Sequence, residues 1–197
     1  ETVLAGNDSL AENLWIHVVD NGRTLPAEEI ETEHVMVHPN LNVGGAGGFT
    51  RGMLEAMDHK EKPTHVLLMD DDVMILPESL IRTYNLLKII RPEYEHHFIS
   101  GAMLFYEEMN FLYEDVGFMD HEGTYGPLKD RVDTRKIEDV LRCEEMIHEP
   151  KNAYAGWWYC CIPMEFVRKD NLPLPVFVRG DDVEYSLRNK AKFITLS

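Results

Sequence analysis

Residues 66–73 read VLLMDDDV, four apolar positions followed by three aspartates in a row. Adjacent carboxylates repel one another, and burial raises the cost because each ionised group requires water or a partner. Asp70 and Asp72 are two apart, so an extended backbone aims both side chains the same way, with Asp71 opposite. Two carboxylates on one side suit a hard divalent cation, Mg²⁺ or Mn²⁺, which takes oxygen ligands and keeps phosphate oxygens in its shell. A solvated acidic loop at a strand end has the same composition. A phosphoaspartyl D-x-D-x-[T/V] loop is a rival, weakened by Met74 at its fifth position.

Three further groups invite chemistry. Asn42 to Gly48 reads NVGGAGG, with Gly44, Gly45, Gly47 and Gly48 bringing the backbone close to a ligand or a neighbouring element. A helix N-terminus following it favours an anion, although the spacing matches neither the dinucleotide fingerprint nor a P-loop. Gly156-Trp157-Trp158-Tyr159 places two indoles on opposite faces of a strand, one packing inward and the other free to stack on a sugar ring. Core packing alone also explains such a tetrapeptide. Asp181-Asp182, with Glu184 after it, complements the dipole of a helix start or supplies a general base within reach of a hydroxyl. The nine histidines show no ligand spacing, and His96-His97 reads as a surface pair.

The elements that must position these residues follow from periodicity and punctuation. Strands are predicted over 14–19, 34–38, 65–69, 97–105 and 153–163. A glycine-rich loop leads into a helix carrying Phe49, Met53, Leu54 and Met57. A second helix opens at Pro77 and runs to Ile90, with Leu80, Tyr84, Leu87 and Ile90 on its apolar side. Residues 106–135 read as irregular or hairpin-like, a short helix is predicted over 137–147, and another begins at Asp181. Strands alternating with helices over 14–105 predict an α/β fold with a mostly parallel central sheet flanked by helices. In such sheets ligands bind beyond the C-terminal strand ends, where Asp20, Asn42 and the aspartate triplet would converge.

The chain has 197 residues and a formal net charge of -16, from 19 Lys+Arg against 35 Asp+Glu. That balance argues against nucleic acid as a partner, and against direct electrostatic attachment to an anionic membrane. Cys143, Cys160 and Cys161 suggest buried reduced thiols and a cytoplasmic setting rather than a disulfide framework. No apolar run approaches the roughly 20 residues of a membrane span. The first residue is Glu1, and the chain reads as a piece of a longer protein.

Taken in order, VVDNG (18–22), NVGGAGGFTRG (42–52), LLMDDDV (67–73), GWWYC (156–160) and RGDDVEYSLR (179–188) resemble family 2 glycosyltransferases of the GT-A fold. The resemblance is strongest to bacterial galactofuranosyltransferases and their rhamnosyltransferase-like relatives. It implies one catalytic domain, with residues 1–105 as the nucleotide-sugar half and 106–197 as the acceptor half. It implies a first strand and helix preceding the VVDNG strand, and a metal-ligating histidine beyond Ser197, so that the chain is expected to be truncated at both ends.

By the same resemblance Asp20 contacts the uridine of a UDP-sugar, and Asn42, Gly44 and Gly45 approach the nucleotide or its diphosphate. Asp70 and Asp72 bind Mg²⁺ or Mn²⁺, with Asp70 and Asp71 on the donor side. Trp157 and Trp158 border the donor-sugar and acceptor pocket. Asp182 is the catalytic base, and Asp181 and Glu114 (of LYEDVG) join Trp158 on the acceptor. The implied reaction is inverting transfer of a sugar, galactofuranose favoured, to a glycan or lipid-linked glycan in the cytoplasm, at the inner membrane face if other segments attach it there. Rhamnosyl transfer from dTDP-rhamnose, a non-catalytic nucleotide- or sugar-binding domain, and a metal-dependent phosphotransferase are the alternatives.

Overall fold

The computed structural model describes residues 8–129, 131–144 and 151–196. In chain order the elements are α1 (Asp8–Ala11), β1 (Ile16–Asp20), α2 (Ala27–Ile30), β2 (Val35–Pro39), α3 (Gly44–Asp58), β3 (His65–Leu68), α4 (Pro77–Ile89) and a 3₁₀ turn (Pro92–Tyr94). Then come β4 (Phe98–Gly101), β5 (Met103–Leu104), β6 (Phe111–Glu114), β7 (Gly117–Met119), β8 (Tyr125–Pro127), β9 (Val132–Asp133) and α5 (Ile137–Glu144). The chain continues with β10 (Ala153–Tyr154), β11 (Cys160–Pro163), α6 (Asp181–Arg188) and β12 (Phe193–Leu196). The predicted helix over 137–147 is present to Glu144, and 145–147 lie outside the described residues.

The chain forms two compact units that interleave along the sequence. The first holds the described residues up to Val66, Met74–Glu95 and Met164–Asp181; the second holds Leu67–Val73, His96–Pro163 and Asp182 onward. In the first unit β1 and β2 pair in parallel from Ile16↔Val35 to Asp20↔Pro39. The connection between them carries α2, which lets the chain return in the same direction. Helix α3 buries Ala46, Met53 and Ala56, while Gly52 lies against Val19 of β1. The glycines expected to form a loop are the first turns of this helix. Proline opens α4 as predicted, but only Thr83 of that helix is buried among the described residues.

The second unit is built on the strand order β12-β4-β11, to which residues 67–68 at the end of β3 belong. Strand β12 runs parallel to β4, and β11 runs antiparallel to it. Every residue of β4 and β11 is buried, so both faces of these strands are covered. Two three-stranded sheets, β10-β7-β8 and β5-β6-β9, carry the remaining strands. The α/β composition is as predicted; β1–β2 and β4–β12 pair in parallel, while β4–β11 and the pairs of the two three-stranded sheets are antiparallel. Between β4 and α5 the chain folds as short strands joined by turns, without a crossover helix, and such neighbours pair antiparallel.

Cys160 and Cys161 are buried free thiols whose ionisation burial pushes up, to about 12 for Cys161. Among the described residues no helix is long and apolar enough to cross a membrane.

Candidate functional site

In the first unit, Asp20 ends β1 and is 7% exposed. Its Oδ1 accepts from the Gly22 N–H at 3.0 Å and its Oδ2 from the Leu25 N–H at 2.9 Å. These backbone donors, Leu25 foremost, hold the carboxyl below the usual carboxylate range against the opposing effect of burial. Asp20 thus builds the turn after β1, and any ligand it meets does so through remaining lone pairs.

The start of α3 is organised by Asn21, Asn40 and Asn42. Asn40 donates to Asn21 Oδ1 at 2.9 Å, and Asn21 Nδ2 lies 3.5 Å from the Gly44 carbonyl. Asn42 is exposed, and its Oδ1 accepts from the Gly44 N–H at 3.3 Å. Gly44 has φ +82°, and a Cβ there would sit 2.1 Å from the Phe177 carbonyl oxygen. The Gly45 N–H donates to that same oxygen at 3.2 Å. A Cβ on Gly45 would lie 3.5 Å from Asp181 Oδ2, so Asn42, Gly44, Gly45 and Asp181 are neighbours within this unit. A cleft of about 320 Å³ beside α3, between Thr50, Leu54 and Pro173, is lined by Gly47 of the glycine stretch but not by Asp20, Asn42, Gly44 or Gly45.

In the second unit the aspartate triplet follows β3, with Asp70 half-buried and Asp71 and Asp72 exposed. Asp71 and Asp72 lie in a turn, so the alternating directions of extended backbone do not apply to them. Three consecutive carboxylates reach more water on a turn than on a buried strand. Among the described residues no group of three or more His, Cys, Asp or Glu is arranged to hold a metal ion. Asp70 and Asp72 offer oxygen donors, the chemistry Mg²⁺ and Mn²⁺ select, and such ions complete their shells with water and phosphate oxygens.

The same unit brings together Glu114, Trp157, Trp158 and Asp182 with residues not singled out from sequence. Glu114 ends β6 at 3% exposure; the Tyr154 hydroxyl donates to its Oε2 at 3.2 Å, and its Oε1 has no hydrogen-bond partner among the described residues. Burial pushes the Glu114 carboxyl up to about 7, with the Tyr154 hydrogen bond opposing and the Asp182 and Asp115 charges adding to the rise. Burial, then Glu114, hold the Tyr154 phenol well above its ordinary range. The Tyr154 ring lies where a Cβ on Gly117 would stand, so glycine is required for this approach.

The tryptophan pair sits on a turn between β10 and β11 rather than on the predicted strand. Gly156 permits that turn, because the Trp158 ring folds to 2.2 Å from where its Cβ would be. Trp157 is buried against Tyr185 of α6, with ring centroids 5.7 Å apart. Trp158 is half-buried, edges against Tyr113 at 6.1 Å and lies with its Nε1 3.4 Å from the Gly101 carbonyl. One indole thus packs inward and the other reaches the surface, as the sequence suggested, on a different element. Asp182 stands in the first turn of α6, its Oδ1 accepting from the Val183 N–H at 2.7 Å. Buried Ser186, one turn on, lies 3.5 Å from the Ala155 N–H and ties α6 to the end of β10.

The chain is distantly related to curated glycosyltransferases. It is 28% identical to galactofuranosyltransferase GlfT2 of Mycolicibacterium smegmatis, over 79% of this chain and 25% of that protein. It is 30% identical to galactofuranosyltransferase GlfT2 of Mycobacterium tuberculosis, over 77% of this chain and 24% of that protein. The chain therefore spans about a quarter of the length of the curated relatives it matches. No family model matches it.

Proposed function

We propose that this chain is catalytic sequence of a metal-dependent, inverting glycosyltransferase of family 2 and the GT-A fold. UDP-galactofuranose is its donor, and a glycan or lipid-linked glycan its acceptor. The observation that carries the reading is one grouping within the second unit: Asp182 at a helix start, a buried Glu114–Tyr154 pair, and Trp158 edged by Tyr113. A carbohydrate asks for that combination. Its C–H faces stack on aromatic rings, its hydroxyls need buried polar partners, and the attacking hydroxyl needs a carboxylate to take its proton. The names of both relatives favour galactofuranose over rhamnose.

In the proposed reaction Asp182 accepts the proton of the acceptor hydroxyl as that oxygen attacks the anomeric carbon. The bond from that carbon to the nucleoside diphosphate breaks in the same displacement, so the configuration inverts and the aspartate forms no covalent bond. The Val183 N–H on Oδ1 orients the carboxylate. In the first unit Asp20, Asn42, Gly44 and Gly45 are assigned to the nucleotide and its diphosphate, and in the second unit Asp71 is assigned to the donor. Trp158 borders the sugars with Trp157 behind it, and Asp181 and Glu114 serve the acceptor. Asp70 and Asp72 would hold Mg²⁺ or Mn²⁺, which when bound offsets the negative charge of the leaving diphosphate.

Calorimetric titration of UDP with and without Mn²⁺, on the chain and its Asp72→Ala variant, tests the donor side; transfer from UDP-galactofuranose and dTDP-rhamnose tests the reaction. Metal-dependent binding lost in the variant, with transfer from the UDP-sugar, is expected. Binding indifferent to metal and substitution overturns the role of the triplet. Binding without any transfer overturns the catalytic reading.

A further inference from the structure

An antiparallel sheet that covers a core with one face ordinarily carries polar residues on the other. The sheet β5-β6-β9 departs from that rule on its middle strand. Along β6, Leu112 and Glu114 are buried, while Phe111 and Tyr113 alternate to the outer face, Tyr113 at 42% exposure. Rings from neighbouring segments extend the pair. Phe105, just past β5, meets Tyr113 edge-on at 5.3 Å, and Tyr113 stands edge-on to Trp158 at 6.1 Å. The Arg131 guanidinium lies 3.9 Å from the centre of the Phe111 ring and 5.5 Å from that of Phe105. The contacts thus run Trp158, Tyr113, Phe105, Arg131, all within the second unit, and each of these residues is at least partly exposed.

The charge around this row selects its occupant. Single-stranded nucleic acid also stacks on aromatic rings, but its phosphates need a basic groove. The cations against these rings among the described residues are Arg131 and Arg135, and each has a carboxylate of its own, Glu108 and Asp133 respectively. Glu107, next in the chain to Glu108, is exposed. An acidic peptide meets the same obstacle. A second copy of the chain would bring its own net charge of -16 to the face. A saccharide is neutral, and its C–H faces cover aromatic rings while its hydroxyls exchange hydrogen bonds. The row offers partners for both: rings, the Tyr113 hydroxyl, and an arginine whose five N–H donors outnumber what one carboxylate uses.

We propose that this row is a carbohydrate platform holding the sugars of a glycan acceptor that lie beyond the reacting one, with Tyr113 and Phe105 under sugar faces and Arg131 on sugar hydroxyls. The inference rests on the glycosyltransferase reading for the acceptor being a glycan, and on the face itself for where that glycan lies. Trp158 joins the two, since it borders the sugars in that reading and touches Tyr113 here. Phe105 and Arg131 stand outside every segment that carries the family resemblance. The platform therefore makes acceptor length, rather than the reaction, the property these residues control.

Calorimetric titration of a galactofuranose disaccharide and hexasaccharide, without donor, tests the platform on the chain and two variants. Phe105→Leu keeps an apolar side chain and loses the ring; Arg131→Met keeps a stem over Phe111 and loses the donors. Melting temperatures check the fold, and Arg131→Met decides alone if Phe105→Leu does not fold. The hexasaccharide should bind the wild type about tenfold tighter than the disaccharide, and that ratio should fall to about two or less in each variant. Disaccharide affinity should stay the same. Equal affinity for the two lengths in the wild type overturns the platform. A ratio unchanged in Phe105→Leu also overturns it, because leucine serves a merely apolar contact as well as phenylalanine does. Dimerisation in sedimentation that Arg131→Met abolishes would give the face to a second copy instead. Transfer from a sugar nucleotide to the disaccharide tests the glycosyltransferase reading separately. Transfer without a length effect sinks the platform and keeps that reading. Length-dependent binding without transfer sinks that reading and keeps the platform.

Discussion

The Tyr154 hydroxyl reaches Oε2 of Glu114 at 3.2 Å from 40 residues away, and among the described residues no cation accompanies it. That relationship has a consequence for stability. The Glu114 carboxyl is raised from 4.5 to about 7, so the folded state binds a proton across that interval that the unfolded chain releases. Its stabilising share is complete below about pH 4.5, declines as pH rises, and becomes a cost of about 3 kcal/mol above pH 7. Glu114→Gln should therefore unfold at a higher temperature than the wild type at alkaline pH and match it near pH 4. Equal melting temperatures of the two proteins across that range would show that Glu114 ionises freely.

Asp182 is expected to act in chemistry rather than in binding. Asp182→Asn keeps an oxygen to accept from the Val183 N–H, now at 2.7 Å, so α6 should begin as before. Loss of a general base lowers kcat by about 10²–10⁴-fold. UDP affinity, measured by calorimetry, should change less than about threefold, since less than 1 kcal/mol is at stake. A variant that loses nucleotide affinity and rate together would make Asp182 a binding residue.

Much of the first unit was legible in sequence and little of the second. The strand before Asp20-Asn21-Gly22 and the helix opened by Pro77 carry local punctuation, and both form within two residues of expectation. Glycine is a weak helix former, so local pattern alone makes the glycine stretch a loop. Its helical start is secured by a contact invisible to local pattern, the Phe177 backbone against Gly44. Trp157 and Trp158 sit in an apolar run that periodicity cannot divide, and the division comes from Gly156 admitting the Trp158 ring. Tyr154 meets Glu114 because β7 pairs antiparallel with β10, a non-local register that nothing in either segment announces. Residue types and motif order pointed to a site; the partner that sets the Glu114 proton did not follow from them.

The two glycines at the start of α3 should respond in opposite ways. Gly44→Ala puts a side chain at φ +82° and 2.1 Å from the Phe177 carbonyl oxygen, where backbone has to move. The left-handed conformation alone costs about 1–2 kcal/mol, and the clash adds to it. Gly45→Ala meets only Asp181 Oδ2 at 3.5 Å, ordinary contact, and gains up to about 1 kcal/mol of helix propensity. Urea denaturation should rank the proteins Gly45→Ala, wild type, Gly44→Ala in falling stability. A Gly44→Ala protein as stable as the wild type would mean that α3 starts elsewhere.

Lys129 and Asp115 form a buried pair, with side-chain exposures of 10% and 1%, next to the residue whose proton matters. The Ser100 hydroxyl donates to the Asp115 backbone carbonyl, and the Val116 N–H donates to Asp115 Oδ1 at 2.7 Å, so the carboxylate is held by the ammonium on one oxygen and a backbone N–H on the other. Removing the ammonium leaves an uncompensated buried charge, which costs about 3–5 kcal/mol. Lys129→Met is expected to lose that much in urea denaturation at neutral pH. Lys129→Met combined with Asp115→Asn removes both charges and retains an oxygen for the Val116 N–H, so most of the loss should return. A double variant no more stable than Lys129→Met would show that the lysine stem, rather than its charge, supports this corner of the unit.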